Sequence, residues 1–449
     1  MPNANVLNSQ LIGQALAECP GPDRIHVGFS GGLDSTVLLH LVYRWWCQLP
    51  PHRRPPLQAI HVNHQLHAEA PGWRNQCVAL CQQWSIPCVT RDVTVDRAAS
   101  SLEQQARRAR YQVFHELVQP SEVLLLAHHR DDQVETLLQR LARGSGPLGL
   151  GAMTAHSRRH GFHIVRPLLD WDRLELETYA REHHLHWVED PSNQDESLER
   201  NFIRRRLLPL WRSRRAELNQ TLARSARLCN ESALLLDDLA ALDLGGARPD
   251  GGLPLVRLQT LSTARQHNLL RFWLRELGIP LPSAVVLQRI ASEVASATTD
   301  AQPLVTWGQA SVRRFQGVLY GLGQPLPEAG SDPIVLPTVD TTVTLPWGQW
   351  RATGSPLPFS RQALSGKTLS IQFRAGGERL KLPGRPGKSL KDLFQEAAVP
   401  PWLRGLWPIL YADGRIAGLP GLWVCEDYTP VSEADRVCFH WQRPGCAQD

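Results

Sequence analysis

A glycine-containing hexapeptide between a strand pattern and a helix pattern constrains the fold of this chain more than any other feature. The segment SGGLDS at positions 30–35 follows the apolar stretch 24–29 and overlaps the start of the helical pattern 35–46. Adjacent glycines let the backbone turn tightly and approach an anion, and the amide groups at the helix start point toward it. The segment therefore predicts a phosphate-binding loop made of Ser30, Gly31, Gly32, Leu33, Asp34 and Ser35.

The carboxylate of Asp34 narrows the kind of anion that suits this loop. A carboxylate repels a phosphate unless a divalent cation lies between them, so we expect a nucleotide bound together with Mg²⁺. The loop lacks the Gly-Lys-Ser/Thr ending of the common nucleotide-binding P-loop. The alternative is a glycine-rich helix start at which Ser35 is an ordinary N-cap.

The first half of the chain alternates strand-like and helix-like segments. This order predicts an α/β fold with a parallel sheet, helices on both faces, and ligands at the carboxyl ends of the strands. The predicted strands are 24–29, 57–62, 88–93 and 123–127, and the predicted helices are 35–46, 72–84 and 101–117.

The pattern changes after about residue 211 and indicates two further domains. Helical segments are predicted at 214–242, 262–277 and 283–297, followed by β-like residues at 303–357 and a mixed α+β segment at 369–440. We therefore predict three domains. They are an α/β catalytic domain at 1–213, a mainly helical middle domain with a β-like tail at 214–357, and a small α+β domain at 358–449.

Composition argues against several classes of protein. The longest apolar runs, such as Val123–Ala127, are far shorter than the ~20 residues of a membrane helix, so we expect no membrane contact. Nine scattered cysteines favour a reducing, cytoplasmic compartment over a disulfide framework. All but four of the 48 basic residues are arginines, which suit phosphate and base contacts, although genomic base composition also explains such an excess. The sequence leaves the oligomeric state open, a homodimer included.

Several short motifs resemble those of one enzyme family. SGGLDS resembles the PP-loop of the ATP pyrophosphatase superfamily, and further motifs narrow the resemblance to the tRNA(Ile)-lysidine synthetases. The resemblance covers residues 24–211 and returns at 373–424, with a departure at His67, where the family more often has arginine. The motifs are HVNH at 61–64, ExxARxxRY at 103–111, AHHxDDQxET at 127–136, RGxGxxGL at 143–150, RPLL at 166–169, DxSN at 190–193 and RNxIR at 200–204.

The resemblance implies a PP-loop catalytic domain followed by two tRNA-binding domains. It implies that ATP adenylates the C2 oxygen of the wobble cytidine in the isoleucine tRNA with a CAU anticodon, and that free L-lysine then displaces AMP through its ε-amine. The modified base would change codon recognition from AUG to AUA. The cofactors would be ATP and Mg²⁺. The nucleotide would contact the loop 30–35 with His61 and Asn63, and the catalytic residues would be Asp34, His128, Asp132 and Glu135.

An acidic cluster at the start of the helix after 123–127 has two chemical uses. Glu135 follows Asp132 by three residues and Asp131 by four, so these carboxylates share one helix face. Asp132 could hold Mg²⁺ together with Asp34. Alternatively, Asp132 and Glu135 could bind or deprotonate the ε-ammonium of lysine. Plain acidic capping of a helix start remains the third explanation.

Basic segments in three places are candidates for substrate and RNA contacts. No acidic residue lies between Arg200 and Arg215, and all four lysines fall between Lys367 and Lys391. This clustering indicates phosphate contacts, with solvated or ion-paired surfaces as the alternative. Together with the resemblance, it implies substrate and tRNA contacts at Glu103, Arg107, Arg110, Arg166, Arg200, Arg204, Arg205, Arg379, Lys381, Lys388 and Lys391.

Two other functions remain as alternatives. A PP-loop thiolase that modifies tRNA would fit the loop, but the chain lacks the paired Cys-x-x-Cys motifs of sulfur-inserting relatives. A non-catalytic tRNA-binding module would fit the basic segments but leaves SGGLDS and the acidic cluster unexplained. His156 and His160 have the spacing of a metal pair, yet with no carboxylate or cysteine nearby in the sequence we interpret them as solvated.

Overall fold

The computed structural model describes residues 6–19, 21–65, 69–94, 102–159, 161–189, 195–246, 248, 250–294, 303–330, 332–345, 348–352 and 357–441. Two compact units form within the chain, Met1–Leu235 and Leu236–Asp449. None of the helices in the described ranges combines the length and the apolar character that a membrane crossing needs. Four features of the sequence lie outside the described residues: His67, the motif at 190–193, His160 and the side chain of Glu103.

A six-stranded sheet forms the centre of the first unit. Its strands are β1 (Ile25–Gly28), β2 (Leu57–Asn63), β3 (Cys88–Asp92), β4 (Val123–Leu125), β5 (His156–Arg159) and β6 (Phe162–Val165). They lie in the order β3-β2-β1-β4-β6-β5. All neighbours pair in parallel except β5, which is antiparallel to β6. The predicted α/β fold with a largely parallel sheet is confirmed, and the β5–β6 hairpin is an addition to it.

The helices of this unit cover the sheet and connect its strands. They are α1 (Gln10–Leu16), α2 (Leu33–Gln48), α3 (Ala70–Gln83), α4 (Leu102–Leu117), α5 (Arg130–Ala142), α6 (Pro147–Leu150), α7 (Arg173–Glu182), α8 (Glu199–Phe202) and α9 (Leu208–Arg212), with a 3₁₀ turn at Pro51–Arg53 and a π turn at Ile203–Leu207. Six consecutive residues of α2, from Val37 to Val42, are buried, because α2 packs against both α1 and α7.

The strand order places two chain segments at one edge of the sheet. β1 and β4 are neighbours and run parallel, so their carboxyl ends meet. The loop 30–35 follows β1, and α5 begins five residues after β4. In parallel α/β sheets, ligands bind where the loops from neighbouring strands diverge at this edge. The fold therefore brings the glycine loop and the acidic cluster together.

The second unit contains smaller sheets and helices, and the long helix α10 (Leu218–Leu244) ends within it. Its other helices are α11 (Leu255–Gln259), α12 (Thr263–Glu276), α13 (Ala284–Arg289), α14 (Arg361–Leu364), α15 (Leu390–Glu396) and α16 (Pro401–Arg404), with a π turn at Ile290–Val294 and a 3₁₀ turn at Glu426–Tyr428. Its strands are β7 (Leu253–Pro254), β8 (Leu304–Trp307), β9 (Ala310–Phe315), β10 (Val318–Leu322), β11 (Ile334–Leu336), β12 (Val343–Leu345), β13 (Gly348–Ala352), β14 (Phe359–Ser360), β15 (Leu369–Gln372), β16 (Arg379–Leu380), β17 (Lys388–Ser389), β18 (Ile409–Ala412), β19 (Arg415–Leu419), β20 (Trp423–Val424), β21 (Arg436–Val437) and β22 (Phe439–Trp441).

Strand pairing in this unit bears on the predicted limit between the middle and last domains. β11 pairs with β15, and β13 pairs with β22, so residues 334–352 share sheets with the C-terminal segment. A separate sheet, in the order β7-β10-β9-β8, has its own core around Trp273. The three-domain division stays a prediction, and the pairing favours a last domain that begins before Ile334.

Candidate active site at the carboxyl ends of the central strands

The loop after β1 requires glycine at its second position. Gly31 has a φ of +85°, a conformation that other residues rarely adopt. A Cβ atom at this position would lie 2.6 Å from the Cys77 sulfur on α3. The Gly31 carbonyl accepts a hydrogen bond of 2.9 Å from the Val188 amide. Any side chain at residue 31 would therefore both strain the backbone and clash with the Cys77 sulfur.

Two serine hydroxyls hold the loop closed. The Ser30 and Ser35 hydroxyl oxygens lie 3.0 Å apart, and the Ser35 hydroxyl donates to the Gly32 carbonyl over 3.1 Å. Ser35 thus sits in the first turn of α2, while Gly32 is its N-cap residue and carries no capping side chain. All six predicted phosphate-loop residues lie in this loop and the first turn of α2.

A buried histidine joins this loop to the acidic start of α5. The His129 side chain is 1 % exposed, and its Nε2 lies 3.6 Å from Asp34 Oδ2 and 3.5 Å from Asp132 Oδ2. Its Nδ1 lies 3.5 Å from Asp131 Oδ2. Burial alone would lower the pKa of His129, but the three carboxylates outweigh it and raise the pKa to about 10. His129 is therefore a buried imidazolium among three carboxylates.

The carboxylate of Asp34 offers an oxygen to a cation. Its Oδ1 is buried and has no hydrogen-bond donor among the described residues, and its Oδ2 lies 3.5 Å from the Arg173 guanidinium. Asp34 and Asp132 both approach the same nitrogen of His129, so the two carboxylates converge. The described residues hold no group of three His, Cys, Asp or Glu side chains arranged for a metal ion. A cation here would need further ligands from a bound substrate.

Glu135 and Asp132 make ion pairs with the segment that follows the sheet. Glu135 is fully buried, and its Oε2 accepts from Arg200 Nε over 2.7 Å while its Oε1 accepts from Arg204 Nε over 2.5 Å. Arg200 also donates to Asp132 Oδ1 over 2.6 Å. Burial raises the pKa of Asp132, but His129 and Arg200 outweigh it and keep the pKa below its usual value. The sequence predicts substrate or tRNA contacts for Arg200 and Arg204, whereas in the structure both arginines form ion pairs with two of the predicted catalytic carboxylates.

Asp131 fixes the same segment from the other side. Its Oδ1 accepts hydrogen bonds from the Arg212 guanidinium and, over 2.8 Å, from the Asn219 amide. Its Oδ2 accepts from the Arg173 backbone amide over 3.0 Å. Asp131 thereby ties the first turn of α5 to α7, α9 and α10, all at residues of the first unit.

His128 and Arg166 neighbour the acidic cluster. Burial lowers the pKa of His128 to about 3, although Asp132 acts in the opposite direction, so the ring is neutral. Its Nδ1 finds no partner in the described part of the chain. Arg166 is buried and donates to the Thr154 carbonyl over 2.8 Å and to the Ser157 hydroxyl over 3.1 Å. Arg166 therefore braces the β5 segment.

The HVNH motif ends β2 beside the loop. His61 Nδ1 lies 2.9 Å from the Phe29 carbonyl, one residue before the phosphate loop, and burial lowers the His61 pKa. Asn63 donates to Asp92 over 2.8 Å and accepts from the Gln65 amide over 3.0 Å. His61 and Asn63 thus hold the strand ends that frame the site.

The remaining predicted contacts in the first unit lie on its surface. Arg107 and Arg110 are exposed on α4, with Arg107 over the Tyr111 ring and Arg110 3.3 Å from His64 Nε2. Arg205 is exposed and lies 3.3 Å from Glu196. These arginines are accessible to a large ligand.

Four basic residues of the second unit gather on one small hairpin and the helix after it. β16 pairs with β17 in antiparallel fashion, and α15 follows directly. Arg379 donates to the Gly387 carbonyl over 2.7 Å, Lys381 pairs with Glu426 over 2.7 Å, and Lys388 pairs with Glu396. Lys391 is exposed at the start of α15.

Sequence reasoning missed His129 and the residues that fix Asp131. The motif AHHxDDQxET contains His129, but only the fold brings Asp34 to the same ring. One signal is present in the sequence: His129 lies two and three residues before two aspartates at a helix start, and a histidine there meets carboxylates within one turn. Arg212 and Asn219 carry no such signal, because they lie 81 and 88 residues from Asp131.

Family models match three parts of the chain. A model described as a PP-loop domain matches residues 6–211, one described as the TilS substrate binding domain matches residues 253–320, and one described as the TilS substrate C-terminal domain matches residues 369–441.

Two solved structures match parts of this chain. A U34-tRNA thiolase from Methanococcus maripaludis has 17% identity and a TM-score of 0.40, covering 49% of this chain and 77% of the thiolase. A TilS C-terminal domain has 26% identity and a TM-score of 0.15, covering 31% of this chain and 87% of that domain. Neither likeness is close enough to assign a function.

Two relatives that match over nearly their whole length have the same name. The tRNA(Ile)-lysidine synthase of Escherichia coli O157:H7 is 40% identical over 424 residues, covering 94% of this chain and 96% of the relative. That of Serratia proteamaculans is 38% identical and covers 97% of this chain and 99% of the relative. Because the similarity spans nearly the whole of both chains and the three domain models match in order, this chain belongs to the tRNA(Ile)-lysidine synthase family of ATP-dependent ligases.

Proposed function

We propose that this chain uses ATP to attach free L-lysine to C2 of the wobble cytidine in the isoleucine tRNA with a CAU anticodon. First the C2 oxygen attacks the α-phosphorus of ATP, and pyrophosphate leaves. Then the ε-ammonium of lysine gives up a proton to solvent, its neutral nitrogen attacks C2, AMP leaves with the former C2 oxygen, and the nitrogen loses a second proton. The family assignment favours this reaction over a tRNA thiolase or a non-catalytic module. The observation that carries it is the meeting of the phosphate loop with the carboxylates of α5 around His129.

The loop would hold the phosphates of ATP. α2 begins at Leu33, so the free amides of its first turn point back toward the loop, and the glycines let an anion approach them. The imidazolium of His129 adds a positive charge one residue ahead of α5. Fixed positive groups of this kind stabilise charge that develops on leaving pyrophosphate.

Asp34 and Asp132 fit a divalent cation beside those phosphates. The unpartnered Oδ1 of Asp34 supports this assignment, because the Oδ2 atoms of both carboxylates already face the His129 imidazolium. A Mg²⁺ ion held there would shield the negative charge of the ATP phosphates. Asp34 lies on the loop itself, so we assign it the direct contact, with Asp132 behind it.

The alternative to a cation at Asp132 is the ε-ammonium of lysine. A carboxylate whose pKa is lowered is a poor proton acceptor, so in that arrangement Asp132 would orient the ε-ammonium and would not deprotonate it. Glu135 is saturated by two guanidinium groups. We therefore infer that Glu135 positions Arg200 and Arg204 and has no direct contact with substrate. His128, being neutral, offers a hydrogen bond without adding charge.

One incubation tests the proposal. The protein is mixed with ATP, radiolabelled lysine and unmodified isoleucine tRNA with a CAU anticodon. We expect label in the tRNA, with AMP and pyrophosphate formed in equal amounts. The matched control is the same tRNA with uridine at the wobble position, which should accept no label. Incorporation of sulfur from a sulfide donor in place of lysine would contradict the proposal.

A further inference from the structure

We propose that the helical segment 199–212 presents a stacking surface for the unpaired bases of an RNA loop. We call this surface the aromatic platform and define it by Phe202, Leu207, Leu210 and Trp211. The inference rests on the proposed function, because it names the part of the tRNA that this segment would hold.

The aromatic platform exposes large apolar side chains within ten residues of chain. Phe202 is 50% exposed, Leu210 is 72% exposed and Trp211 is 39% exposed. A concentration of exposed apolar groups on a protein surface marks an interaction site, whereas single exposed groups do not. Two of the four are aromatic, and aromatic rings offer a flat face to any base.

These side chains are not misplaced members of the core. The segment packs on the first unit through Ile203 and Leu208, which belong to a buried cluster with Val134 and Leu138 of α5. Arg200 and Arg204 complete that inner side with their ion pairs to Glu135. The side of the segment that faces α5 is thus occupied by buried contacts and ion pairs, and the platform residues face solvent, where a ligand can reach them.

Charge around the platform selects the class of ligand. No acidic residue lies between Arg200 and Glu217, whereas Arg205, Arg206, Arg214 and Arg215 are exposed there. Arg205 and Arg206 share one carboxylate, that of Glu196, at 3.3 and 2.8 Å. Two copies of this chain meeting at the platform would bring like charges together, which is unfavourable. An RNA strand supplies both phosphates for the arginines and bases for the rings.

The position of the platform indicates which part of an RNA it receives. Arg200, on the same segment, binds one oxygen of Asp132, and the other oxygen of Asp132 lies 3.5 Å from His129. The platform is therefore joined to the candidate active site by direct contacts within the first unit. A base that reacts must leave its stack, which exposes the bases beside it. We assign the platform to the unpaired nucleotides that flank the reacting cytidine.

Binding of two RNA probes tests the platform. The full-length variants Phe202→Leu and Trp211→Leu, separately and combined, keep apolar volume and remove the ring faces. The probes are a hairpin with the sequence of the anticodon arm and a blunt duplex of the same stem. We expect the double variant to bind the hairpin about tenfold more weakly and to bind the duplex as the wild type does. Phe202→Tyr and Trp211→Phe should restore hairpin binding, and Leu174→Ala, an exposed site on α7, is the matched control.

Three results would overturn the platform. They are unchanged hairpin affinity in the double variant, an equal loss for hairpin and duplex, and a two-copy assembly in sedimentation that the leucine variants dissolve. Two further outcomes distinguish a failure of the proposed function from a failure of the platform. A wild type that binds the hairpin but incorporates no lysine would refute the proposed ligase reaction. An active wild type whose variants bind the hairpin normally would refute the platform alone.

Discussion

Asp34 holds its two carboxylate oxygens in different surroundings. Oδ2 lies near His129 and Arg173, while Oδ1 is buried without a donor among the residues described. An unsatisfied buried oxygen costs free energy, so the site favours a cation that arrives with the nucleotide. This asymmetry makes Asp34 the residue most sensitive to loss of charge.

Replacing Asp34 by asparagine tests that interpretation. Asp34→Asn keeps the shape of the side chain and removes its charge, so we expect release of pyrophosphate to fall about a hundredfold or more. Affinity for tRNA should not change. Asp23→Asn, at an exposed position of the same unit, is the control. Pyrophosphate release within a few-fold of wild type at saturating Mg²⁺ would leave SGGLDS as a plain helix start.

His129 should make the stability of the first unit depend on pH. Its pKa is raised from 6.5 to about 10, so its contribution is complete below pH 6.5 and is lost as the pH rises toward 10. We expect the free energy of unfolding to fall by at least about 1 kcal/mol more in wild type than in His129→Gln between pH 7 and pH 10. Denaturant melts at a series of pH values measure the difference. His115→Gln, an exposed histidine, should follow wild type, and equal slopes for all three proteins would refute a charged His129.

At the scale of elements, α5 and the segment after residue 198 are joined by buried ion pairs. Glu135 is held by both Arg200 and Arg204, and Asp131 accepts from Arg212. Removing one partner of a buried ion pair leaves the other charge uncompensated, which costs more than the pair contributes. Glu135 should thus matter for folding as well as for activity.

Glu135→Gln should destabilise the first unit by about 3 kcal/mol. The amide cannot neutralise two guanidinium groups that the carboxylate now compensates. The control is Glu177→Gln, which removes a partner of the surface ion pair with Arg181 and should change stability by less than about 0.5 kcal/mol. Thermal and denaturant melts compare the two. Equal midpoints would mean that the arginines find other partners at no cost.

The elements of the first unit follow well from the sequence, and their long-range contacts do not. The strands at 57–62 and 88–93 are predicted within a residue of β2 and β3, because the alternation of short strand-like and helix-like segments is a local pattern of the sequence. The segment 154–161 looks like a polar loop because β5 carries histidine, serine and arginine side chains, yet it forms an edge strand. The contacts of Arg200 and Arg204 with Glu135 span 65 and 69 residues, so only the fold defines them.

At the scale of the whole molecule, the basic hairpin of the second unit is suited to exchanging partners. Lys381 and Lys388 are engaged in surface ion pairs, which contribute little to stability and can be replaced by phosphate contacts. All lysines of the chain lie within residues 367–391. We expect the hairpin to act on tRNA affinity and to leave the chemistry at the first unit untouched.

The combined variant Arg379→Ala, Lys381→Ala, Lys388→Ala and Lys391→Ala tests this division. We expect weaker tRNA binding, with a slope of log affinity against log salt that is reduced by roughly 0.7–0.9 for each phosphate that the variant no longer neutralises. ATP binding should be unchanged, and kcat at saturating tRNA should fall less than kcat/KM. Arg289→Ala with Arg361→Ala removes two surface charges of the same unit as the control. Filter binding at several salt concentrations with an unaltered slope would exclude the hairpin from the RNA interface.

The π turn at Ile203–Leu207 sets the phase of the helix on either side of it. Each residue of a regular α-helix advances by roughly 100°, so one extra residue in a turn rotates everything that follows by that angle. Pro209 keeps the turn wide, because in a regular helix its ring would collide with the carbonyl of Arg205. With this offset, Arg204 within the turn pairs with Glu135 of α5, while Phe202 before the turn and Trp211 after it are both exposed. Removing one residue here would leave every other side chain present and turn Trp211 about a quarter of a circle away, so this enzyme depends on a helical offset as well as on the residues that the helix carries.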